Sequence, residues 1–349
     1  MESLKILIVS SPGLPTPAPA YSGLEMVNFN IALGMHKRGH KVTVVASVDS
    51  DASRYPDGID IIKTVYSALL PIPEQESFEL YDFKTEGKDF DIVHDSTHQH
   101  HSILLDRFRH QIHTVHDDAN FQQPPRRPLP CFVGISYSHS RRINEMCPGI
   151  VARTCWNGVD TKLHRPVDVE QSDRFLFVGR IQWLKGVHML ADVCRQNNIP
   201  LDIVGDDSHF GGQDGFVKSV KNLCDGQLLK YIGPVSNEEK VRRMAAARAV
   251  IVPSMFYEPF GLVAAEAQAC GTPVIVSDLG GLKEQVRPMT GHVFSHFYEI
   301  PELCRRVTDT DKMAQTPFCL RNVDENFSAE KMCDRYEVMY RDILNGKEW

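Results

Sequence analysis

Short apolar runs alternate with helically spaced stretches along most of the chain. "LKILIVSS" is a continuous run of the kind that forms a strand buried on both faces. A proline-rich loop, "PGLPTPAPAYSG", follows. "LEMVNFNIALGMHKRG" then sets Met26, Phe29, Ile31, Leu33 and Met35 at roughly helical spacing, up to a stop at Gly39. "HKVTVVAS" predicts the next strand and completes a βαβ unit. "FDIVHDS", "RHQIHTVHD" and "PCFVGIS" predict three more buried strands, each ending in polar residues.

The pattern then restarts. "DRFLFVGRI" predicts a strand, "KGVHMLADVCRQN" a helix and "PLDIVGDD" a strand. "LLKYIGPV" leads into the helix "NEEKVRRMAAAR", the strand "AVIVPS", the helix "GLVAAEAQACG" and the strand "TPVIVSD". Between the two series lies "NGVDTKLHRPVDVEQSD", polar and carrying Pro166. The expected organisation is an N-terminal domain over 1–165 and a second over 166–325. The tail 326–349 contains the amphipathic stretch "FSAEKMCDRYEVMYRDIL", a helix expected to pack back toward the first domain. The expected fold class is α/β: two Rossmann-like domains facing a central cleft, with ligands at the carboxyl ends of the strands.

Composition narrows the function classes. At 349 residues, with 42% apolar and 24% charged residues, the chain reads as a globular protein with room for two cores. No segment approaches the roughly 18 apolar residues of a membrane span. The N-terminal run is too short and too poor in basic residues for a signal peptide, so a cytoplasmic location is expected. Nine cysteines, odd in number and without a CxxC pair, suit reduced thiols rather than a disulfide framework or zinc knuckle. A net charge of −7 argues against a nucleic-acid partner. Residues 107–165 nevertheless hold nine Lys/Arg against four Asp/Glu, including Arg126–Arg127 and Arg141–Arg142. That segment is either a solvated basic face or a surface for an anionic acceptor or peripheral membrane contact.

Two clusters carry candidate chemistry. Seven of the fifteen histidines fall between His94 and His116. His94 to His98 is an i, i+4 spacing and His98 to His100 an i, i+2 spacing, either of which can hold a metal locally. Against this, His94 ends a predicted strand and no HExxH occurs, so strand-end histidines lining a cleft, with His98, His100 and His101 on a helix surface, are the competing reading. The second cluster is "SMFYEPFGLVAAEAQACGTPVIVSDLGG", in which seven residues separate Glu258 from Glu266. A helix start lies between them, with Pro259 suited to its first turn and Gly261 allowing close approach of a ligand. The backbone N–H groups of Phe260, Gly261 and Leu262, with the helix dipole, make an anion site. A carboxylate just before this start, and another expected about two turns inside it, suit a diphosphate bearing hydroxyls on both sides. A nucleoside diphosphate sugar is such a ligand.

This stretch, "EPFGLVAAEAQACGTPVIVSDLGGLKE", resembles the E-x7-E region of the GT4-type retaining glycosyltransferases of GT-B fold. "FLFVGRIQWLKG" is similar to the first strand and loop of that family's donor domain, "WNGVD" to its interdomain segment, and "LKYIGPVSNEEKVRRMAAARAVIVPS" to the stretch before the glutamates. "HTVHDD" and "VGISYSHS" are similar to its acceptor-domain strand ends. The likeness spans Leu4 to Tyr340, is most specific over 175–290 and is looser before residue 90.

The resemblance implies transfer of a hexose from a UDP-, GDP- or ADP-linked donor to an acceptor hydroxyl, with no metal or other cofactor required. Arg180 and Lys185 would hold the diphosphate, completed by the backbone of Phe260, Gly261 and Leu262. Glu266 would accept bonds from the ribose, Glu258 would bind the transferred sugar near its C3 and C4 hydroxyls, and Val235 would line the base pocket. His116 would face the sugar, bond its 6-hydroxyl and stabilise positive charge at the anomeric carbon. His94, His98 and Asp117 would line the pocket for a glycan, lipid or small-molecule acceptor. Where the family often has a glycine pair in its first loop, this chain has Ser22–Gly23, with Ser22 able to donate a hydrogen bond. The Asp49-x-Asp51 pair follows a strand of the wrong domain and reads as a loop. Competing readings are a metal-dependent hydrolase built on the 94–116 histidines, another GT-B enzyme such as a sugar-nucleotide epimerase or phosphorylase, and a noncatalytic sugar-nucleotide binder.

Overall fold

The computed structural model of the protein describes all residues except 1, 12–13, 19–22, 65–84, 86–87, 99–101, 103–107, 118–130, 206–213 and 348. Two compact units result: Met1–Gly158 together with Ala329–Trp349, and Val159–Ser328.

The first unit is built on a seven-stranded sheet of β1 (Lys5–Val9), β2 (Lys41–Ala46), β3 (Ile59–Lys63), β4 (Ile92–Asp95), β5 (Gln111–Val115), β6 (Cys131–Gly134) and β7 (Arg153–Thr154). The spatial order is β3-β2-β1-β4-β5-β6-β7 and every pairing is parallel. Each apolar run identified in the sequence becomes a strand buried on both faces, as a sheet covered by helices requires. Helix α1 (Leu24–Lys37) buries Val27, Ile31 and Met35, one face at successive i+4 steps. A second helix, α2 (Tyr137–Met146), starts at Ser136, whose side chain accepts from the His139 backbone N–H.

The second unit repeats the plan. Its sheet comprises β8 (Phe175–Val178), β9 (Leu201–Val204), β10 (Leu229–Gly233), β11 (Val250–Val252), β12 (Val274–Ser277) and β13 (Gly291–Phe294), in the order β10-β9-β8-β11-β12-β13. The helices are α3 (Val187–Gln196), α4 (Asp214–Leu223), α5 (Asn237–Ala246), α6 (Leu262–Ala269), α7 (Ile300–Asp309) and α8 (Lys312–Asn322). Alternate strand residues face opposite layers. Phe175, Phe177, Ile203 and Ile251 pack with α3 and α7, whereas Leu176, Val178, Val204 and Val252 pack with α5 and α6. In both sheets the strand order reverses beside the first strand, at β1/β4 and at β8/β11. The carboxyl ends at such a reversal leave the crevice in which doubly wound sheets bind ligands.

The last helix, α9 (Ala329–Leu344), belongs to the first unit. It buries Met332, Cys333, Tyr336, Met339, Tyr340 and Ile343, while Asp334 on its polar side meets Arg38 of α1 at 2.6 Å. Arg153 binds Asp342 at 2.7 Å, and the Trp349 indole N–H donates to the Phe132 carbonyl at 3.0 Å. The division falls at Gly158/Val159 rather than at 165/166. Val159 donates to the Phe327 carbonyl and bridges to Ser328, which ties the start and the end of the second unit together. Asp51 caps a short 3-10 turn by accepting from the Ser53 N–H, so the Asp-x-Asp pair is indeed loop.

Candidate functional site

The crevice residues of the second unit come from three loops at strand carboxyl ends. The loop after β8 runs from Arg180, half-buried, through a 3-10 turn at Trp183–Lys185. Gly186 ends that turn at φ +70, and a side chain there would collide with the Pro253 carbonyl oxygen. Glycine is therefore what lets this loop lie against the one after β11, an approach sealed by the Met255 N–H donating to the Leu184 carbonyl at 2.7 Å. The result places Lys185 Nζ 2.8 Å from Glu258 Oε2 and 4.8 Å from the Phe256 ring centroid. Ser254 donates to the same carboxylate oxygen at 2.8 Å. The backbone carbonyl of Glu258 accepts from the Gly281 N–H of the third loop.

Helix α6 begins later than the sequence suggests. Its N-cap is Gly261, left-handed at φ +86, so Pro259 lies before the helix and not in its first turn. A Cβ at Gly261 would meet Leu282, and only glycine turns the chain sharply enough here. Gln285 donates to the carbonyls of Phe260 and Gly261, which leaves the N–H side of this turn to point along the helix start. Ala264 donates to the Gly261 carbonyl at 3.1 Å, whereas the N–H groups before it have no acceptor inside the helix, whose dipole adds positive potential at the same end. Phe260 itself is buried, while Gly261 and Leu262 remain half-exposed.

Glu266 sits about one turn inside α6, nearer the start than the expected two turns. Its Oε2 is 3.0 Å from Lys240 Nζ of α5, and its Oε1 is 3.6 Å from His164 Nε2. Burial would raise the pKa of this carboxyl, but Lys240 and His164 outweigh it and hold the group below the usual glutamate range. Val235 packs against the sheet layer formed by Leu176, Val178 and Val204. Sequence reasoning missed Lys240, His164, Ser254, Gly186 and Gln285. Lys240 reads as one more charge in "NEEKVRR", and nothing in its spacing marks it as buried.

In the first unit, His94 requires a correction. It is fully buried, with Nδ1 2.7 Å from the Tyr340 hydroxyl and Nε2 2.8 Å from the Thr114 hydroxyl. Both ring nitrogens are thus spent on joining β4, β5 and α9, so His94 lines no open pocket. Burial pushes its pKa down to about 3 and the ring is neutral. His98 lies on the surface with Nδ1 2.9 Å from Asp117 Oδ2, and the Asp117 carbonyl accepts from His139 at 2.8 Å. His116, next to Asp117, is half-exposed as a residue, but its Nε2 is buried without a partner among the described residues. Its pKa is also pushed down to about 3, first by burial and then by the neighbouring histidines. Gly23 precedes α1, and Ser22 lies outside the described residues, as do His100, His101, Arg126 and Arg127. Among the described residues no three His, Cys, Asp or Glu side chains are grouped to hold a metal, and no helix is long and apolar enough to cross a membrane.

Two α/β units with parallel sheets, alike in the order of their first six strands, the second carrying an Arg/Lys loop and two glutamates around a helix start, define a class of fold that solved glycosyltransferases share. Sucrose-phosphate synthase from Thermosynechococcus elongatus superposes with a TM-score of 0.81 at 21% identity, covering 98% of this chain and 99% of that one. Anabaena Alr3699/HepE in complex with UDP-glucose gives 0.74 at 19% identity, covering 97% and 100%. The fold is GT-B. Residues 160–309, most of the second unit, match the family "Glycosyl transferases group 1". A D-inositol 3-phosphate glycosyltransferase from Frankia alni is 39% identical over 150 residues, 37% of this chain and 37% of that relative. One from Catenulispora acidiphila is 31% identical over 216 residues, 54% and 51% respectively. The chain thus matches between about a third and about a half of these relatives' own length.

Proposed function

We propose that the protein is a retaining glycosyltransferase that moves a hexose from a nucleoside diphosphate sugar to an acceptor hydroxyl. The observation that carries this reading is the meeting of Lys185, Glu258 and the α6 start on loops of the group 1 domain, with Glu266 one turn away. Lys185 donates to Glu258 at 2.8 Å, so the two charges are paired. A bound donor gives each a new partner, the diphosphate for Lys185 and the sugar hydroxyls for Glu258. As the bond from the anomeric carbon to the β-phosphate oxygen breaks, its electron pair goes to the diphosphate. Arg180, Lys185 and the N–H groups at Phe260, Gly261 and Leu262 stabilise that charge where it forms, commonly the dominant catalytic term. The acceptor oxygen bonds the anomeric carbon from the face the leaving group vacates, and its proton passes to a leaving phosphate oxygen. The His116 ring, its pKa pushed down to about 3 by burial, can act as a neutral hydrogen-bonding group and not as a cation. With cations supplied by the protein, the step draws on no divalent metal.

One structural neighbour holds UDP-glucose and another ADP, so the fold accommodates more than one base. The relatives named for D-inositol 3-phosphate, together with the basic balance of residues 107–165, favour a phosphorylated polyol or another anionic acceptor here. Calorimetric titration of UDP, GDP and ADP, with and without EDTA, tests the donor site. The expected result is micromolar, EDTA-insensitive binding of one nucleotide, weakened at least about tenfold by Glu266→Ala. Failure of all three to bind would refute the transferase reading.

A further inference from the structure

Glu266 is the one charged side chain on a helix otherwise tightly packed through Ala264, Ala265 and Ala267. Its carboxylate is only 12% exposed, and a carboxylate so placed is costly unless it is paired. Two elements supply the pairing. Lys240 comes from the first turn of α5, a helix capped by Ser236, and its own side chain is 11% exposed. His164 comes from the turn that follows Asp160, whose carbonyl accepts from the His164 backbone N–H at 2.8 Å. The ring is 7% exposed, and neither of its nitrogens has a hydrogen-bond partner among the described residues. One carboxylate oxygen therefore faces the ammonium, and the other faces an unspent imidazole nitrogen just beyond hydrogen-bond range.

We propose that Lys240 and His164 are positioning residues that hold Glu266 as an ionised, fixed acceptor for the vicinal hydroxyls of a nucleotide ribose, and thereby set the preference for ribonucleotides over 2′-deoxyribonucleotides. This rests on the donor-site reading above. A vicinal diol offers two O–H donors. An ionised carboxylate can accept from both, whereas a protonated one loses acceptor capacity and presents a competing donor. Lys240 keeps the group ionised and fixes one oxygen, so the remaining lone pairs point in one direction. No other group nearby shares this task. Cys270, on the next turn, is pushed up to about 12 by burial and by Glu266 itself, and remains a thiol. Lys312 of α8 acts on Cys270 rather than on Glu266, and the His164 pKa is lowered, first by burial.

The test uses the full chain and whichever of UDP, GDP or ADP binds, compared with its 2′-deoxy counterpart between pH 5 and pH 8. The wild type is expected to prefer the ribonucleotide by about tenfold or more, the worth of a hydrogen bond to a charged group. In Lys240→Met the preference falls to within about two- to threefold, and binding is lost at a higher pH because Glu266, deprived of its partner, protonates sooner. Lys240→Arg restores both the preference and the acid limb. If Lys240→Met weakens both ligands equally and leaves the acid limb in place, Lys240 is merely structural and the proposal is wrong while the donor site stands. Should that variant not fold, His164→Leu carries the same comparison with a smaller expected shift. No binding of any nucleotide by the folded wild type overturns the donor-site reading, and this proposal with it.

Discussion

Lys185 and Glu258 are close enough, and dry enough, that neither can be altered without affecting the other. Removing the lysine leaves Glu258 with Ser254 as its remaining neutral donor and, under the proposed function, deprives the leaving diphosphate of a point charge. We expect Lys185→Met to lower kcat by about a hundredfold or more, comparable to the loss of one preorganised donor at a developing oxyanion. Nucleotide affinity should fall less. Single-turnover kinetics alongside calorimetry separates the two effects. The paired variant Lys185→Met/Glu258→Gln should be more stable to heat than the two single variants predict by addition, because residues in direct contact do not act independently.

Among the elements, the turn ending at Gly186 deserves the first substitution. Its left-handed backbone and its contact with the Pro253 carbonyl leave no room for a side chain. Gly186→Ala must strain the backbone or move the loop, at a cost of about 1–3 kcal/mol for the backbone conformation before any collision is counted. The expected outcome is a lower Tm together with weaker nucleotide binding, since displacing the loop carries Lys185 away from Glu258. Unchanged Tm and affinity would show that the two loops are not locked together. The helices differ in how openly the chain announces them. Helices α1, α3, α5, α6 and α9 follow from apolar spacing, whereas α2, α4, α7 and α8 were not anticipated. In α8, Pro317 inside the stretch hides the helix, and edge strands β3 and β13 are only partly buried, so neither stands out as a continuous apolar run.

For the molecule as a whole, His94 and His116 of the first unit are expected to contribute to acid lability. His94 and His116 are held near pKa 3, whereas an unfolded histidine titrates at about 6.5. Between those values the unfolded chain binds more protons, so this contribution to stability is complete above about pH 6.5 and is lost as the pH falls. The slope is at most about 1.4 kcal/mol per pH unit for each histidine. Tm should be nearly level from pH 7 to pH 8 and should drop below pH 6.5. His94→Gln, which keeps hydrogen-bonding capacity but cannot titrate, should flatten that drop. An equally steep fall in the variant would place the acid-labile groups elsewhere.

The two-series α/β organisation was readable because strands buried on both faces must be continuous apolar runs, a constraint written locally into the chain. The glutamate pair and the helix start between them were readable for a related reason: seven residues of sequence suffice to bring two carboxylates to one turn. Pairings between distant segments had no such local signature. That His94 is spent on Thr114 and Tyr340 depends on a helix some 240 residues away returning to the first unit. That Glu266 is charged in a nearly dry position depends on Lys240 and His164 arriving from two other elements. Periodicity and spacing determined where the buried strands and the amphipathic helices arise, and that a helix starts between the two glutamates. Only the folded chain decided which polar side chains are buried and which partners satisfy them, because burial is a property of neighbours that the sequence does not place side by side.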